Sequence, residues 1–320
     1  MPITTNSGVS LTYETQGDPR GPAILLVMGL GMQLTAWPQR LCQSLVDQGF
    51  YVIRFDNRDC GLSSKLSHLG KPNLKLTYLR TLLRLRVKAG YTLDDMAGDA
   101  IAVLDALGIA QAHIVGASMG GMIAQIVAGK YPERVASMTT IMSTSGRRGL
   151  PGPSRAARKV ILSRPKNPHD HDNVVRHLTH ALRVIGSPAY PTPEEEVRAR
   201  IAASLKRSVN PTGVARQLVA IAASGDRVDI LKKVRAPTLV IHGSHDPLLP
   251  AACGRDVARL VPGAKLREIA GMGHDFPPAL NDTLAEMIAA HCKGEDVPHA
   301  VPRLLPEMMP ASISYPRHAA

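Results

Sequence analysis

The sequence predicts an α/β fold: a mostly parallel central sheet flanked by helices, with a helical cap inserted before the late strands. Three observations lead there. Short apolar runs recur along the chain, amphipathic helical periods fill the gaps between them, and from about Ser145 to Lys233 the strand signal gives way to helical periods alone. With 320 residues, 44% of them hydrophobic, the chain is long enough to bury a substantial core.

Ala23-Ile24-Leu25-Leu26-Val27 and Tyr51-Val52-Ile53-Arg54-Phe55 read as buried strands of a sheet covered on both faces. Between them, Leu41, Leu45 and Val46 set a helical period from Trp37 to Gln48, closed by Gly49. Thr92-Leu93-Asp94-Asp95 has the form of a capping box and opens a helix that stops at Gly108. His113-Ile114-Val115 is the next strand, Met119 to Lys130 a helix, and Val135 to Met142 a further strand. Helical stretches are then expected near 154–164, 167–185, 193–207 and 211–224, separated by Pro and Gly. Thr238–Ile241 and Lys265–Ile269 restore the strand signal, with a helix near Ala251 to Leu260 between them. The expected division is therefore a core of residues 1–144 and 234–292, a helical cap over 145–233, and a Pro-rich tail over 293–320 with little regular structure.

No run of about 20 uncharged apolar residues is present, which excludes a spanning helix of that kind. No signal peptide is readable at the N-terminus, and a cytoplasmic location is the expectation. The four cysteines, Cys42, Cys60, Cys253 and Cys292, show neither C-x-x-C nor Cys/His ligand spacing, so neither a zinc site nor a disulfide framework is expected.

A formal charge of +12 raises the question of a nucleic-acid or membrane partner. Its distribution answers most of it. Ser64 to Gly90 holds seven Lys/Arg and no acid, and Gly146 to Arg183 holds nine against Asp170 and Asp172, so the rest of the chain is close to neutral. Lys75 to Lys88 alternates Leu with Lys and Arg and reads as an amphipathic helix, its charged side solvated, or in contact with anionic substrates or weakly with an anionic membrane surface. Stacking aromatics are nearly absent there, so nucleic acid is not expected as a partner.

Gly116-Ala117-Ser118-Met119-Gly120 is a G-x-S-x-G between an expected strand and an expected helix. Nucleophilic chemistry needs a serine on a turn sharp enough to project its hydroxyl, and flanking glycines relieve the crowding such a turn creates. That hydroxyl needs an imidazole to take its proton, and the imidazole needs an acid to orient it. Asp246 follows the strand Thr238–Ile241, and His274 follows the strand Lys265–Ile269, so all three groups fall at one edge of a parallel sheet. Oxyanion donors are expected from the Met119 amide, at a helix N-terminus, and from the Leu30 amide in the loop Met28-Gly29-Leu30-Gly31-Met32.

The chain order Ser118, Asp246, His274 and the motif around Ser118 resemble the α/β-hydrolase fold serine hydrolases, in their cap-bearing esterase branch, over roughly residues 3 to 292. Asp56-Asn57-Arg58-Asp59-Cys60-Gly61-Leu62-Ser63 resembles that family's D-x-R-G-x-G-x-S stretch, with Asp59 where Gly is usual. The oxyanion loop has Met28-Gly29 where His-Gly is common, an arrangement similar to bacterial esterases such as the anthracycline methylesterases. The resemblance implies a cofactor-independent hydrolase that cleaves a small-molecule carboxylic ester, with an apolar acyl or alcohol moiety, through an acyl-enzyme. The same triad would also serve carbon–carbon bond hydrolysis, amide hydrolysis or perhydrolysis. A fold retained for ligand binding without catalysis is the alternative of another class.

Rival assignments stay open at this level. Ser118 could be a turn serine of a nucleotide-binding protein, although the sixth position counted from Gly29 is Leu34 rather than Gly or Ala. His113 and His245 compete with His274, and Asp275 competes with Asp246. Met28, Met32, Met122 and Met272 fall near the site loops and are candidate walls of a deformable apolar pocket, with ordinary core packing the alternative.

Overall fold

The computed structural model describes residues 1–298. The prolines from Pro302 onward, and with them most of the expected Pro-rich tail, lie outside the described residues.

Eight strands form one sheet in the order β1-β2-β4-β3-β5-β6-β7-β8: β1 (Ile3–Asn6), β2 (Val9–Gln16), β3 (Ala23–Val27), β4 (Tyr51–Phe55), β5 (Ala112–Ala117), β6 (Val135–Ile141), β7 (Thr238–Gly243) and β8 (Lys265–Ile269). From β4 to β8 every pairing is parallel, while β1 and β2 run antiparallel at one edge. β3, β4 and β7 are buried along their whole length, and β5 and β6 at all but one position each, as a sheet covered on both faces requires. Alternate residues feed opposite layers. Leu25 and Val27 join a cluster with Leu93 and Met96 of α3 (Leu93–Ala106) and Ile123 of α4 (Met119–Lys130). Ile24 and Leu26 join a second cluster with Leu41 of α1 (Gln39–Asp47) and Leu284 of α11 (Asn281–Lys293).

The expected capping box is present: the Thr92 hydroxyl accepts from the Asp95 amide, and the Asp95 carboxylate accepts from the Thr92 amide. Between β6 and β7 lie α5 (Arg155–Leu162), α6 (His171–Ile185), α7 (Glu194–Arg207), α8 (Pro211–Ser224) and the short α9 (Val228–Leu231). A helix α10 (Ala252–Leu260) separates β7 from β8. Three things depart from the sequence reading. The N-terminal hairpin β1–β2 carries too mixed a pattern to stand out, and it pairs on the sheet edge through Tyr13–Gln16. Helices α9 and α11 were likewise not expected.

The helix expected over 75–88 is the third departure, because α2 spans only Leu74–Leu82. Arg84 adopts φ +60°, which breaks the helix just beyond Leu83. Continuing it would stack Arg80, Arg84 and Lys88 at four-residue spacing, and like charges so placed repel.

Candidate active site

Parallel pairing brings the C-terminal ends of β3, β5, β7 and β8 to one edge of the sheet, and the loops that follow them carry the candidate residues. Ser118 joins β5 to α4 at φ 54°, a left-handed conformation rarely adopted by a residue with a side chain. Its neighbours permit the turn. A Cβ on Gly120 would stand 1.9 Å from the Val27 carbonyl oxygen, and one on Gly116 would stand 2.1 Å from the Gly120 carbonyl oxygen. The turn is pinned on both sides, since the Ser118 amide donates to Ile141 O at 2.9 Å and the Ser143 hydroxyl donates to Ser118 O at 2.8 Å.

His274 Nε2 lies 3.0 Å from Ser118 Oγ, and His274 Nδ1 lies 2.7 Å from Asp246 Oδ2. A carboxylate only accepts, so the proton of a neutral ring sits on Nδ1, and Nε2 is left to accept from the serine. The other carboxylate oxygen, Asp246 Oδ1, accepts from the Leu248 and Leu249 amides, each at 2.8 Å. Burial works to raise the Asp246 carboxyl. The facing imidazole of His274 and bonds from His242, His274 and the Leu249 amide outweigh it, and the group is held well below the usual carboxylate range. The rivals are engaged elsewhere: His113 with Ser137, His245 with Ser244, and Asp275 with the Ser187 hydroxyl.

The loop after β3 packs against the serine, with a Cβ on Gly29 3.2 Å from that of Ser118. The Gly31 amide donates to Gln217 Oε1 at 2.8 Å and is thereby committed, and Leu30 stands in the chain between it and Gly29. Met119 is the first residue of α4, where a backbone N–H has no partner within the helix. The four pocket candidates do not form one group. Met28 and Met272 belong to one apolar cluster and Met122 to the other, while Met32 is 40% exposed.

Several contacts that shape this edge carry no sequence signal. Gln217 of α8 is fully buried, accepts from Gly31 and donates to the Arg58 carbonyl at 2.8 Å. The His274 amide donates to Ile185 O at 2.7 Å, and the Gly273 amide donates to Ser187 Oγ at 2.8 Å, so the end of α6 holds the histidine loop. Asp59, noted for standing where glycine is usual, has φ 65° and faces Arg216 of α8 in a two-pronged ion pair at 2.6 and 2.7 Å. It also accepts from the Tyr91 hydroxyl and the Leu66 amide. A scan for one motif cannot find these, because their partners lie about 90 to 190 residues away in the chain. Among the described residues no three His, Cys, Asp or Glu side chains are grouped as a metal site.

This arrangement can move a proton from a serine hydroxyl to an imidazole and hold the resulting charge against a carboxylate. The chain is 27% identical over 313 residues to the rhodomycin D methylesterase DnrP of Streptomyces peucetius, covering 92% of this chain and 99% of that protein. It is 28% identical over 314 residues to the rhodomycin D methylesterase DauP of Streptomyces sp. strain C5, covering 92% and 99%. Among solved structures, the enol-lactonase from Burkholderia xenovorans LB400 matches with a TM-score of 0.71 at 24% identity, over 91% of this chain and 100% of that one. The model of the α/β hydrolase fold matches residues 22–277. With the sheet order, the strained serine turn and a match over most of its length, this chain belongs to the α/β hydrolase fold family.

Proposed function

We propose that this protein hydrolyses a small-molecule carboxylic ester through an acyl-enzyme. The observation that carries the reading is the relay of Ser118 Oγ, His274 Nε2 and Nδ1, and Asp246 Oδ2, with spacings of 3.0 and 2.7 Å. Ser118 Oγ attacks the ester carbonyl as His274 Nε2 takes its proton, and Asp246 stabilises the imidazolium that results. The Met119 and Leu30 amides hold the oxyanion of the tetrahedral intermediate. As that intermediate collapses, the C–O bond breaks and His274 returns the proton to the departing alcohol. Water, deprotonated by the same imidazole, then attacks the acyl-serine, and the carboxylic acid leaves as Ser118 regains its proton.

The likeness to two methylesterases along nearly the whole of both partners supports esters of small alcohols as the first substrates to try. In this reading residues 145–233 form a cap over a core of 1–144 and 234–292. The bonds from Gln217 to the Gly31 amide and from the His274 amide to Ile185 support it, since both join the insertion to the site loops. The four free thiols fit a reducing compartment, the cytoplasm.

Ser118→Ala should lower kcat on a p-nitrophenyl acyl ester by on the order of 10⁶-fold and abolish labelling by a fluorophosphonate probe. An unchanged rate would remove Ser118 from the mechanism. Wild-type turnover of a vinylogous diketone, an amide or peroxide in preference to every ester would move the chemistry to another reaction of the same relay. Failure of Ser118 to label, with no turnover of any substrate, would favour a non-catalytic binding role.

A further inference from the structure

Helix α2 is built inside out. Viewed along its axis, Leu74, Tyr78, Leu79, Leu82 and Leu83 share one side, and all five are exposed, Tyr78 by 72% and Leu82 by 66%. The opposite side, with Leu76, Thr77 and Arg80, faces α8 across a cleft of about 200 Å³ that Val219 helps to line. A helix packed for its own protein would turn these faces around. No residue of α2 is buried. Eight of the sixteen large apolar side chains exposed in the described residues fall between Leu69 and Leu85.

The charge around this stripe has one sign. Lys71, Lys75, Arg84 and Arg86 lie on or beside it, Arg80 and Lys88 line the cleft behind it, no acidic residue falls among them, and none of the six forms an ion pair within the described residues. Lys75 sits within the apolar side itself, where a long stem can lie along leucines while its ammonium reaches outward. The support beneath is firm. Arg216 Nη1 donates to the Gly70 carbonyl at 2.9 Å, and the Asn73 side chain caps the helix by accepting from the Leu76 amide at 3.0 Å.

We propose that α2 and the segment to Lys88 dock this protein on an anionic lipid surface. Leu74, Tyr78, Leu79, Leu82 and Leu83 enter the boundary between headgroups and acyl chains, and the surrounding cations meet lipid phosphates. An interface of this kind offers apolar and anionic ground together, which is what the stripe and its rim require. A second copy of the same face would bring uncompensated cations such as Lys71, Lys75, Arg84 and Arg86 against their own kind. The exposed tyrosine suits the position too, since its ring is apolar and its hydroxyl stays at headgroup level.

The full-length chain should co-sediment with phosphatidylcholine vesicles containing about 30% phosphatidylglycerol and not with phosphatidylcholine alone. Binding should weaken when salt is raised to about 0.5 M. Leu79→Asp with Leu82→Asp should cut partition by at least about tenfold, and Lys75→Glu with Arg84→Glu should cut it independently. Both double variants should keep the wild-type circular dichroism and turnover of a soluble ester, because neither alters a residue of the site. Failure of the wild type to sediment with anionic vesicles overturns the proposal, as does undiminished binding by both variants. Elution of the wild type as a dimer that Leu79→Asp with Leu82→Asp abolishes assigns the face to self-association and overturns it as well.

Discussion

Two carboxyls near His274 are pushed in opposite directions, and the reason is their partners. Asp246 is surrounded by donors and an imidazole, whereas Asp275 is half-buried with the Ser187 hydroxyl as its main partner, and the loss of water around it pushes it up to about 6 from an ordinary 3.8. Linkage gives each a separate pH window. Asp246 is depressed when folded, so its contribution to stability is complete above about pH 4 and is lost as the pH falls below that. Asp275 is raised, so between about pH 4 and 6 the folded chain binds a proton that the unfolded chain has released, and stability falls as pH rises through that window. A displacement of this size is worth roughly 3 kcal/mol. Asp275→Asn keeps an acceptor for Ser187 and removes the titration. Its urea midpoint should therefore exceed that of the wild type at pH 8, with the gap closing as pH falls from 6 to 4. A gap that stays constant over this range would show that Asp275 does not titrate there.

At the scale of elements, α8 connects the insertion to the loop after β3, and two neighbouring side chains divide the task. Arg216 anchors the helix on Asp59, and Gln217 fixes the Gly31 amide. Gln217→Ala should free the loop and reduce kcat by about tenfold to a hundredfold. KM for a small ester should change little, and a loss confined to KM would mean that Gln217 serves binding instead. Removing one member of the ion pair strands a buried charge. Asp59→Asn alone should destabilise by roughly 3–5 kcal/mol, and adding Arg216→Met should restore much of that loss. Additive losses in this cycle, measured by denaturant unfolding, would deny the coupling. These contacts also mark where legibility ends. The strand runs, the Thr92 cap and the G-x-S-x-G are local patterns governed by periodicity and turn sterics, and β3, β4, β8 and α4 have the bounds that the sequence predicts. Asp59 was visible only as a departure. Its reason is a partner some 150 residues later, which no local rule reaches.

Over the whole molecule, the question is whether the helical insertion is a body of its own. Its private core is small: Val175, Val197 and Ile201 are buried together, with Leu182, Ala202 and Leu205 packed beside them. Three buried side chains recover too little apolar area to offset the entropy of ordering five helices. The remainder of its support comes from the sheet-bearing part: Ala220 and Leu231 join one main apolar cluster, Ala189 and Tyr190 join the other, and polar groups cross as well. Arg207 pairs with the buried Asp56 at 2.7 Å, Arg216 pairs with Asp59, and Gln33 donates to the Ser204 carbonyl at 2.7 Å. Arg227, buried at the end of the insertion, donates to Gln125 of α4 and to the Thr144 carbonyl. Each of these bonds exists only while both parts are folded, so the two should lose structure together. Urea unfolding of the full chain, followed by far-ultraviolet circular dichroism and by the fluorescence of Trp37 in the core, should give coincident single transitions. Circular dichroism reports the insertion's helices as well as the core, whereas Trp37 reports the core alone. A helical transition that precedes the tryptophan transition would show an insertion that opens by itself, with a stability separate from that of the sheet.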